Sequence, residues 1–169
     1  MAKEHNITNV AIVEKGWIGG GNVGRNTTII RSNYMHDENA LFSELGMNLW
    51  RNMSQELNFN VMFSTRGIIN LAHSDAQMNA YSRRGNSMRL NGIDAVLLER
   101  EEVKKLIPMA DFSENVRFPI FGALMQPSGG TARHDGVAWG YARQADSMGV
   151  DIIQPVSYTH LTLPTIYSV

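Results

Sequence analysis

The sequence has 169 residues, of which 43% are hydrophobic and 18% charged, which predicts a folded globular chain rather than a disordered one. A formal net charge of −1 excludes the basic field on which nucleic-acid binding and polybasic membrane attachment depend, and the absence of cysteine excludes disulfides, cysteine-ligated zinc and thiol catalysis. No apolar run approaches the roughly 18 residues of a membrane span, and the N-terminus lacks the apolar segment of a signal peptide, so we expect a cytoplasmic protein.

Strands and helices are predicted to alternate along the chain, which favours an α/β fold with some α+β character. The first half is predicted to contain a strand at 9–14, a glycine-rich loop at 16–24, an extended segment or helix start at 26–31, a helix at 37–57, two short strands at 62–63 and 67–71, and a helix at 74–90 capped by Ser74. The second half is predicted to contain a strand at 95–98, a helix at 100–106, a strand at 121–126, a turn at 127–130, a helix at 134–148 and a strand at 150–153.

The helix at 37–57 carries a stripe of apolar side chains that recurs at helical spacing. Its members are Leu41, Leu45, Leu49, Met53 and Leu57. Residues that recur in this way share one face of a helix, so we expect the stripe to face the core.

The strand at 9–14 ends in an acid, Glu14. Dinucleotide-binding folds place such an acid roughly 20 residues after a G-x-G-x-x-G turn, where it binds the ribose hydroxyls. No such turn precedes Glu14, and the glycines at 19–21 follow it. From the residues alone, a ribose-binding acid and an ordinary strand end explain Glu14 equally well.

Three blocks of the sequence resemble, in the same order, the beta subunits of heterotetrameric sarcosine oxidases, which belong to the D-amino-acid-oxidase-like group of FAD-dependent oxidoreductases. The blocks are EKGWIGGGNVGRNTTIIRSNY at 14–34, FSTRGIINLAHS at 63–74, and GGTARHDGVAWGYARQADSMGVDIIQ at 129–154. Because three separate blocks agree over roughly residues 1–154, the resemblance is more specific than a single glycine motif.

The resemblance implies a site for noncovalent FAD. Glu14 matches the acid that holds the adenosine ribose, for which a carboxylate is suited because it accepts two charge-assisted hydrogen bonds. Arg31 matches an arginine near the substrate carboxylate, which a guanidinium can hold with two parallel hydrogen bonds. The residues that match the loop around the pyrophosphate and the isoalloxazine are Gly21, Asn22, Gly24, Arg25, Asn26, Thr27 and Thr28.

The resemblance also implies a second flavin, FMN, bonded covalently to His134 through its 8α-methyl carbon, with Arg133 and Asp135 as the matching neighbours. The bond requires a neutral imidazole nitrogen, and the start of a helix together with the cation Arg133 favours the neutral ring, while Asp135 opposes it. Without the resemblance, His134 is best explained as a surface residue at a helix start. The other histidines lack metal-ligand spacing, and no metal site is expected.

The resemblance implies a truncated arrangement of two domains. Residues 1–57 are expected to be a partial FAD-binding Rossmann-like domain that lacks the first strand and the glycine turn. Residues 58–128 would be part of a mixed-sheet substrate domain, and 129–155 would return to the FAD-binding domain. The segment 156–169 is expected to be a non-native tail. Without the turn, the chain alone is expected to be inactive and not to hold FAD.

The implied activity of the parent enzyme is oxidative demethylation of sarcosine to glycine, with oxygen reduced to hydrogen peroxide. The implied partners are sarcosine or a similar N-methyl amino acid and the alpha, gamma and delta subunits. Two alternatives remain open: a single-flavin dehydrogenase of N-methyl amino acids such as dimethylglycine, and a non-catalytic flavoprotein scaffold.

Overall fold

The computed structural model describes residues 1–113 and 115–156. The chain order is α1 (Ala2–His5), β1 (Ala11–Val13), a 3-10 turn (Asn22–Arg25), β2 (Ile29–Ile30), α2 (Asp37–Glu56), β3 (Ile68–Ala72), α3 (Asp75–Leu90), β4 (Val96–Glu99), α4 (Arg100–Leu106), β5 (Gly122–Gln126), β6 (Gly130–Thr131), α5 (His134–Ser147) and β7 (Asp151–Ile153). No helix within these residues is both long enough and apolar enough to cross a membrane. The tail predicted at 156–169 lies outside the described residues apart from Val156.

The predicted alternation of strands and helices is confirmed, and the differences are local. The strand predicted at 62–63 is wrong, because Met62 has a φ of 54° and so leaves the extended conformation. Ser64 instead forms a single antiparallel bridge with Thr131. A one-turn helix occupies residues 2–5. A salt bridge between Lys3 and Glu56 connects it to the end of α2.

The central part of the chain forms an antiparallel sheet in the order β3-β5-β4. Helices α3 and α4 pack against this sheet. Two hydrophobic clusters hold these layers together, one around Met88 and Leu124 and the other around Val103 and Ala123. The sheet is thus a separate layer from the strands that carry the candidate site.

The first and last described parts of the chain pair with each other. Strand β1 runs parallel to β7, with Ile12 opposite Ile152, and β2 runs antiparallel to β6. The pairing continues beyond β1, because the Glu14 amide donates to the Ile153 carbonyl at 3.0 Å and the Val156 amide donates to the Glu14 carbonyl at 2.9 Å. These pairings bring the glycine-rich loop and β2 against the start of α5.

The expectation that the apolar stripe of α2 faces the core is wrong for its first half. The exposed fractions are 52% for Leu41, 59% for Leu45, 59% for Leu49, 8% for Met53 and 6% for Leu57. A step of four residues overshoots one helical turn by about 40°, so the stripe winds around the helix. The stripe therefore begins on the exposed side of α2 and reaches the buried side only at its end.

Removing the N-cap of α3 gives a first test of the fold. The Ser74 hydroxyl accepts a hydrogen bond from the Gln77 amide at 3.2 Å. We expect Ser74→Ala to lower the free energy of unfolding by about 1 kcal/mol, since that amide loses its only side-chain partner at the helix end. Urea unfolding would measure the change. Ser82→Ala, inside the same helix, is the control and should leave stability unchanged or slightly higher; equal losses in both variants would contradict the capping role.

Candidate functional site

Glu14 follows directly after β1 and lies at the surface. Its Oε1 accepts a hydrogen bond from the Gly16 amide at 2.8 Å, which fixes the carboxylate beside the start of the glycine-rich loop. None of the salt bridges among the described residues involves Glu14. The carboxylate is therefore free to accept hydrogen bonds from two neighbouring hydroxyl groups.

The glycine-rich loop after β1 folds back on itself through backbone hydrogen bonds. The Gly20 amide donates to the Trp17 carbonyl at 2.9 Å, and the Gly24 amide donates to the Gly21 carbonyl at 3.2 Å. A Cβ at position 24 would lie 2.8 Å from the Gly19 carbonyl oxygen, so a larger residue would push the turn open. At Gly21, by contrast, a Cβ would meet none of the described residues within 4 Å, so they leave this side of the loop open to a ligand.

Asn26 and Thr28 shape the end of the loop. The Asn26 side chain accepts from the Thr28 amide at 2.7 Å and donates to the Val23 carbonyl, so its polar atoms already have partners within the loop. Thr28 has a φ of 59°, which is unfavourable for a β-branched residue and is often found at functional sites. The Thr28 carbonyl accepts from the Ala132 amide at 3.1 Å, which joins the strained residue to the segment before α5.

His134 is the first residue of α5 and lies in the wall of two neighbouring cavities, of about 320 and 390 Å³. Thr28 lines both cavities, and Thr27 lines the first. The Nδ1 atom of His134 is buried and has no hydrogen-bond partner among the described residues. A buried ring nitrogen without a partner is uncommon and is compatible with a nitrogen kept free to react or to bind a ligand.

Arg133 and Asp135, the neighbours of His134, bind each other. The Arg133 guanidinium donates to the Asp135 carboxylate through Nε at 3.0 Å and also through Nη2. These hydrogen bonds raise the pKa of Arg133 and lower the pKa of Asp135, and both side chains are exposed. The carboxylate of Asp135 thus offsets the positive charge of Arg133, which we expected from the sequence to favour the neutral ring of His134.

Arg31 follows β2 and is half-buried. Its Nη1 donates to the Asn33 Oδ1 at 2.5 Å, and its Cζ lies 4.9 Å from the centre of the Tyr34 ring. None of the salt bridges among the described residues involves it. The guanidinium is thus held in place by neutral groups, and no acid among the described residues competes with an anion for it.

The predicted residues fall into three neighbouring parts of the molecule. Thr27, Thr28 and His134 line the first cavity, and Arg31 lines an adjoining cavity that shares Ile29, Ile30 and Trp50 with it. Glu14 lines a further cavity, of about 380 Å³, against the middle of α5. Gly21, Asn22 and Arg25 lie on the exposed loop between these parts. The strain at Thr28 and the hydrogen-bond partners of Arg31 have no signal in the sequence.

The sequence profile of the FAD dependent oxidoreductase family, also called DAO, matches residues 1–164. The chain belongs to this family.

Among curated proteins, the chain is 62% identical to the sarcosine oxidase subunit beta of Rhizobium meliloti and 50% identical to that of Rhodobacter capsulatus, in each case over 94% of the chain. It spans 38% of the length of both relatives. Among solved structures, an L-proline dehydrogenase from P. horikoshii superposes with a TM-score of 0.75 at 25% identity, over 86% of this chain and 37% of that one. A glycine oxidase from Geobacillus kaustophilus superposes with a TM-score of 0.75 at 20% identity, over 86% and 40%.

The described residues fit a flavin dinucleotide in three respects. Glu14 presents a carboxylate without a cation partner among the described residues, the loop offers space at Gly21, and Thr27 and Thr28 line a mainly apolar cavity. A sugar diol, a phosphate and an aromatic ring system need these three kinds of surroundings. The chemistry of the chain thus agrees with the cofactor of its family.

Proposed function

We propose that this chain forms part of a flavoenzyme subunit that oxidises sarcosine or a similar N-methyl amino acid. The observation that carries the proposal is the 62% identity, over 94% of the chain, to a protein named sarcosine oxidase subunit beta. In the overall reaction, sarcosine, oxygen and water would yield glycine, formaldehyde and hydrogen peroxide. When bound, the noncovalent FAD supplies the acceptor for the hydride that leaves the N-methyl carbon.

The proposed work of the chain itself is to bind and orient. Glu14 holds the adenosine ribose through its carboxylate, of which only Oε1 is engaged among the described residues, by the Gly16 amide, and the loop around Gly21 and Arg25 surrounds the pyrophosphate. Thr27 and Thr28 lie where the loop meets the first cavity and approach the isoalloxazine there. Arg31 binds the carboxylate of the amino acid, which is supported by its half-buried guanidinium, since that group has no acid partner among the described residues.

A second proposed cofactor is FMN, bonded covalently to His134. The proposal is supported by the Nδ1 of that histidine, which is buried without a partner among the described residues, and by the place of His134 in the wall of the second cavity, beside the one assigned to FAD. The proposed partners are the alpha, gamma and delta subunits of a multi-subunit oxidase, because the relatives carry the name subunit beta.

A chimera tests the proposed function. Residues 1–155 would replace the matching segment of the Rhizobium meliloti subunit, and the product would be expressed with the other subunits of that enzyme. We expect sarcosine to release formaldehyde and hydrogen peroxide together. Formaldehyde that appears only with an added electron acceptor, and without peroxide, would favour the dehydrogenase alternative. A chimera that folds and assembles without flavin would favour the scaffold.

Glu14→Gln tests the ribose site in the same chimera. The substitution keeps the shape and removes the charge, so the hydrogen bonds to the ribose lose their charge assistance, and we expect FAD to bind about tenfold more weakly or worse. Titration of the protein, after removal of its noncovalent flavin, with FAD would measure the change. Glu101→Gln, at an exposed acid on α4, is the matched control. Equal FAD affinity in both variants would contradict the role of Glu14.

A further inference from the structure

The segment after β2 is anchored by a polar network inside the fold. Ser32, Asn33 and Gln126 are fully buried. Gln126 accepts from the Ser32 amide at 3.0 Å and donates to the Ser32 hydroxyl at 2.7 Å. The Asn33 Nδ2 donates to the Asn70 Oδ1 at 2.6 Å, which fixes the orientation of the Asn33 amide. The Asn33 Oδ1 therefore faces the opposite side, toward Arg31.

A second arginine, Arg84, reaches the same amide from α3. Its Nη2 donates to the Asn33 carbonyl and lies 3.3 Å from the Asn33 Oδ1, to which Arg31 also donates. The Arg84 Nε is buried without a partner among the described residues. Burial, and then the positive charge of Arg31, lower the pKa of Arg84, although an arginine stays protonated in proteins.

The two guanidinium groups share one neutral acceptor, the Asn33 Oδ1, and neither has an acid partner in the described part of the chain. The ion pairs among the described residues lie elsewhere, at Lys3–Glu56, Arg51–Glu44 and Arg133–Asp135. Glu44, which accepts from the Ser32 hydroxyl, is thus already paired with Arg51. Two positive groups near each other in a partly buried site repel, and an anion between or beside them relieves that repulsion.

We propose that Arg84 is a positioning residue for the carboxylate site of Arg31. This proposal rests on the proposed function, in which Arg31 binds the carboxylate of the amino acid. Arg84 holds the backbone and side chain of Asn33, and Asn33 in turn holds Nη1 of Arg31. The remaining N–H groups of Arg31 are then oriented toward the carboxylate, and the charge of Arg84 adds to the attraction. Arg84 does not itself touch the amino acid.

The test compares Arg84→Met, Arg84→Lys and the control Arg83→Met in the assembled chimera. Arg83 precedes Arg84 on α3 and is exposed. For Arg84→Met we expect KM for sarcosine to rise about tenfold while kcat changes little, since the loss affects the binding of the carboxylate. The dissociation constant of acetate, followed by the change in flavin absorbance, should rise by the same factor. Arg84→Lys should recover part of the loss, because it keeps the charge without the planar fork.

Comparing Arg31→Met with Arg84→Met distinguishes a failure of the positioning role of Arg84 from a failure of the carboxylate site at Arg31. If Arg31→Met raises KM and Arg84→Met leaves KM and acetate binding unchanged, the positioning role is wrong and the role of Arg31 stands. If Arg31→Met leaves both unchanged, the proposed carboxylate site fails, and this inference fails with it. A parallel loss of FAD content or thermal stability in Arg84→Met, absent from Arg83→Met, would identify a purely structural role. Should Arg84→Met not fold, Arg84→Lys carries the test: acetate binding unchanged in that variant overturns the proposal.

Discussion

Gly130→Ala is expected to prevent stable folding of the chain. A Cβ at this position would clash with the carbonyl oxygen of Ser64 and lie 3.0 Å from the Cα of Thr65. The oxygen and the Cα both belong to the backbone. The neighbouring bridge, in which Ser64 and Thr131 exchange hydrogen bonds of 2.8 and 3.0 Å, would have to open to make room. A backbone that cannot yield makes such a substitution cost about 4 kcal/mol or more, a large part of the stability of a domain.

Urea unfolding and the yield of soluble protein would measure the effect of Gly130→Ala. Gly46→Ala is the matched control, because Gly46 lies in α2 and a Cβ there would meet none of the residues that the structure describes within 4 Å. The control should gain up to about 1 kcal/mol from its higher helix propensity. An unfolding midpoint of Gly130→Ala equal to that of the unsubstituted chain would show that β6 does not approach Ser64 this closely.

The sequence predicted the helices well because their signals are local. Ser74 caps α3 as expected, and at the start of α4 the Glu102 carboxylate accepts from the Glu99 amide at 2.8 Å. The helix then ends before Pro108, as the fixed geometry of proline requires. Each of these signals lies within a few residues of the helix end that it determines.

The sequence-based predictions were wrong where contacts between distant parts of the chain determine the local structure or its burial. The side of α2 that is buried depends on the elements packed against it, so the stripe that begins at Leu41 could not reveal that its first half is exposed. The failure of Met62 to form a strand follows from a positive φ that no sequence pattern indicates for methionine. A regular pattern in the sequence therefore establishes that a helix forms but not which neighbours it meets.

For the candidate site, the sequence supplied residue identities through the resemblance, and the structure adds their partners. The structure shows that Arg133 is paired with Asp135. It also shows that the Asn26 side chain forms hydrogen bonds within its own loop. The contact between Asn33 and Arg84 joins residues 51 positions apart, which no local motif could indicate. The least predictable part of the site is thus its supporting network.

His134→Asn is expected to abolish peptide-bound flavin in the assembled chimera. Asparagine can occupy the first position of a helix and form hydrogen bonds, but it has no imidazole nitrogen to bond the 8α carbon of a flavin. After acid precipitation, the unsubstituted chimera should retain flavin fluorescence in the protein pellet, while the noncovalent FAD remains in the supernatant. The pellet of His134→Asn should carry none, and peptide mapping of the unsubstituted protein should place the flavin on His134.

His36→Asn is the matched control for this experiment, because His36 also lies at the start of a helix but is exposed. It should keep the peptide-bound flavin in full. Peptide-bound flavin that persists in His134→Asn would move the attachment to another residue and contradict the role proposed for the buried Nδ1. If the unsubstituted chimera oxidises sarcosine without any peptide-bound flavin, the FMN proposal fails while the FAD site stands, and the single-flavin alternative then becomes the better description.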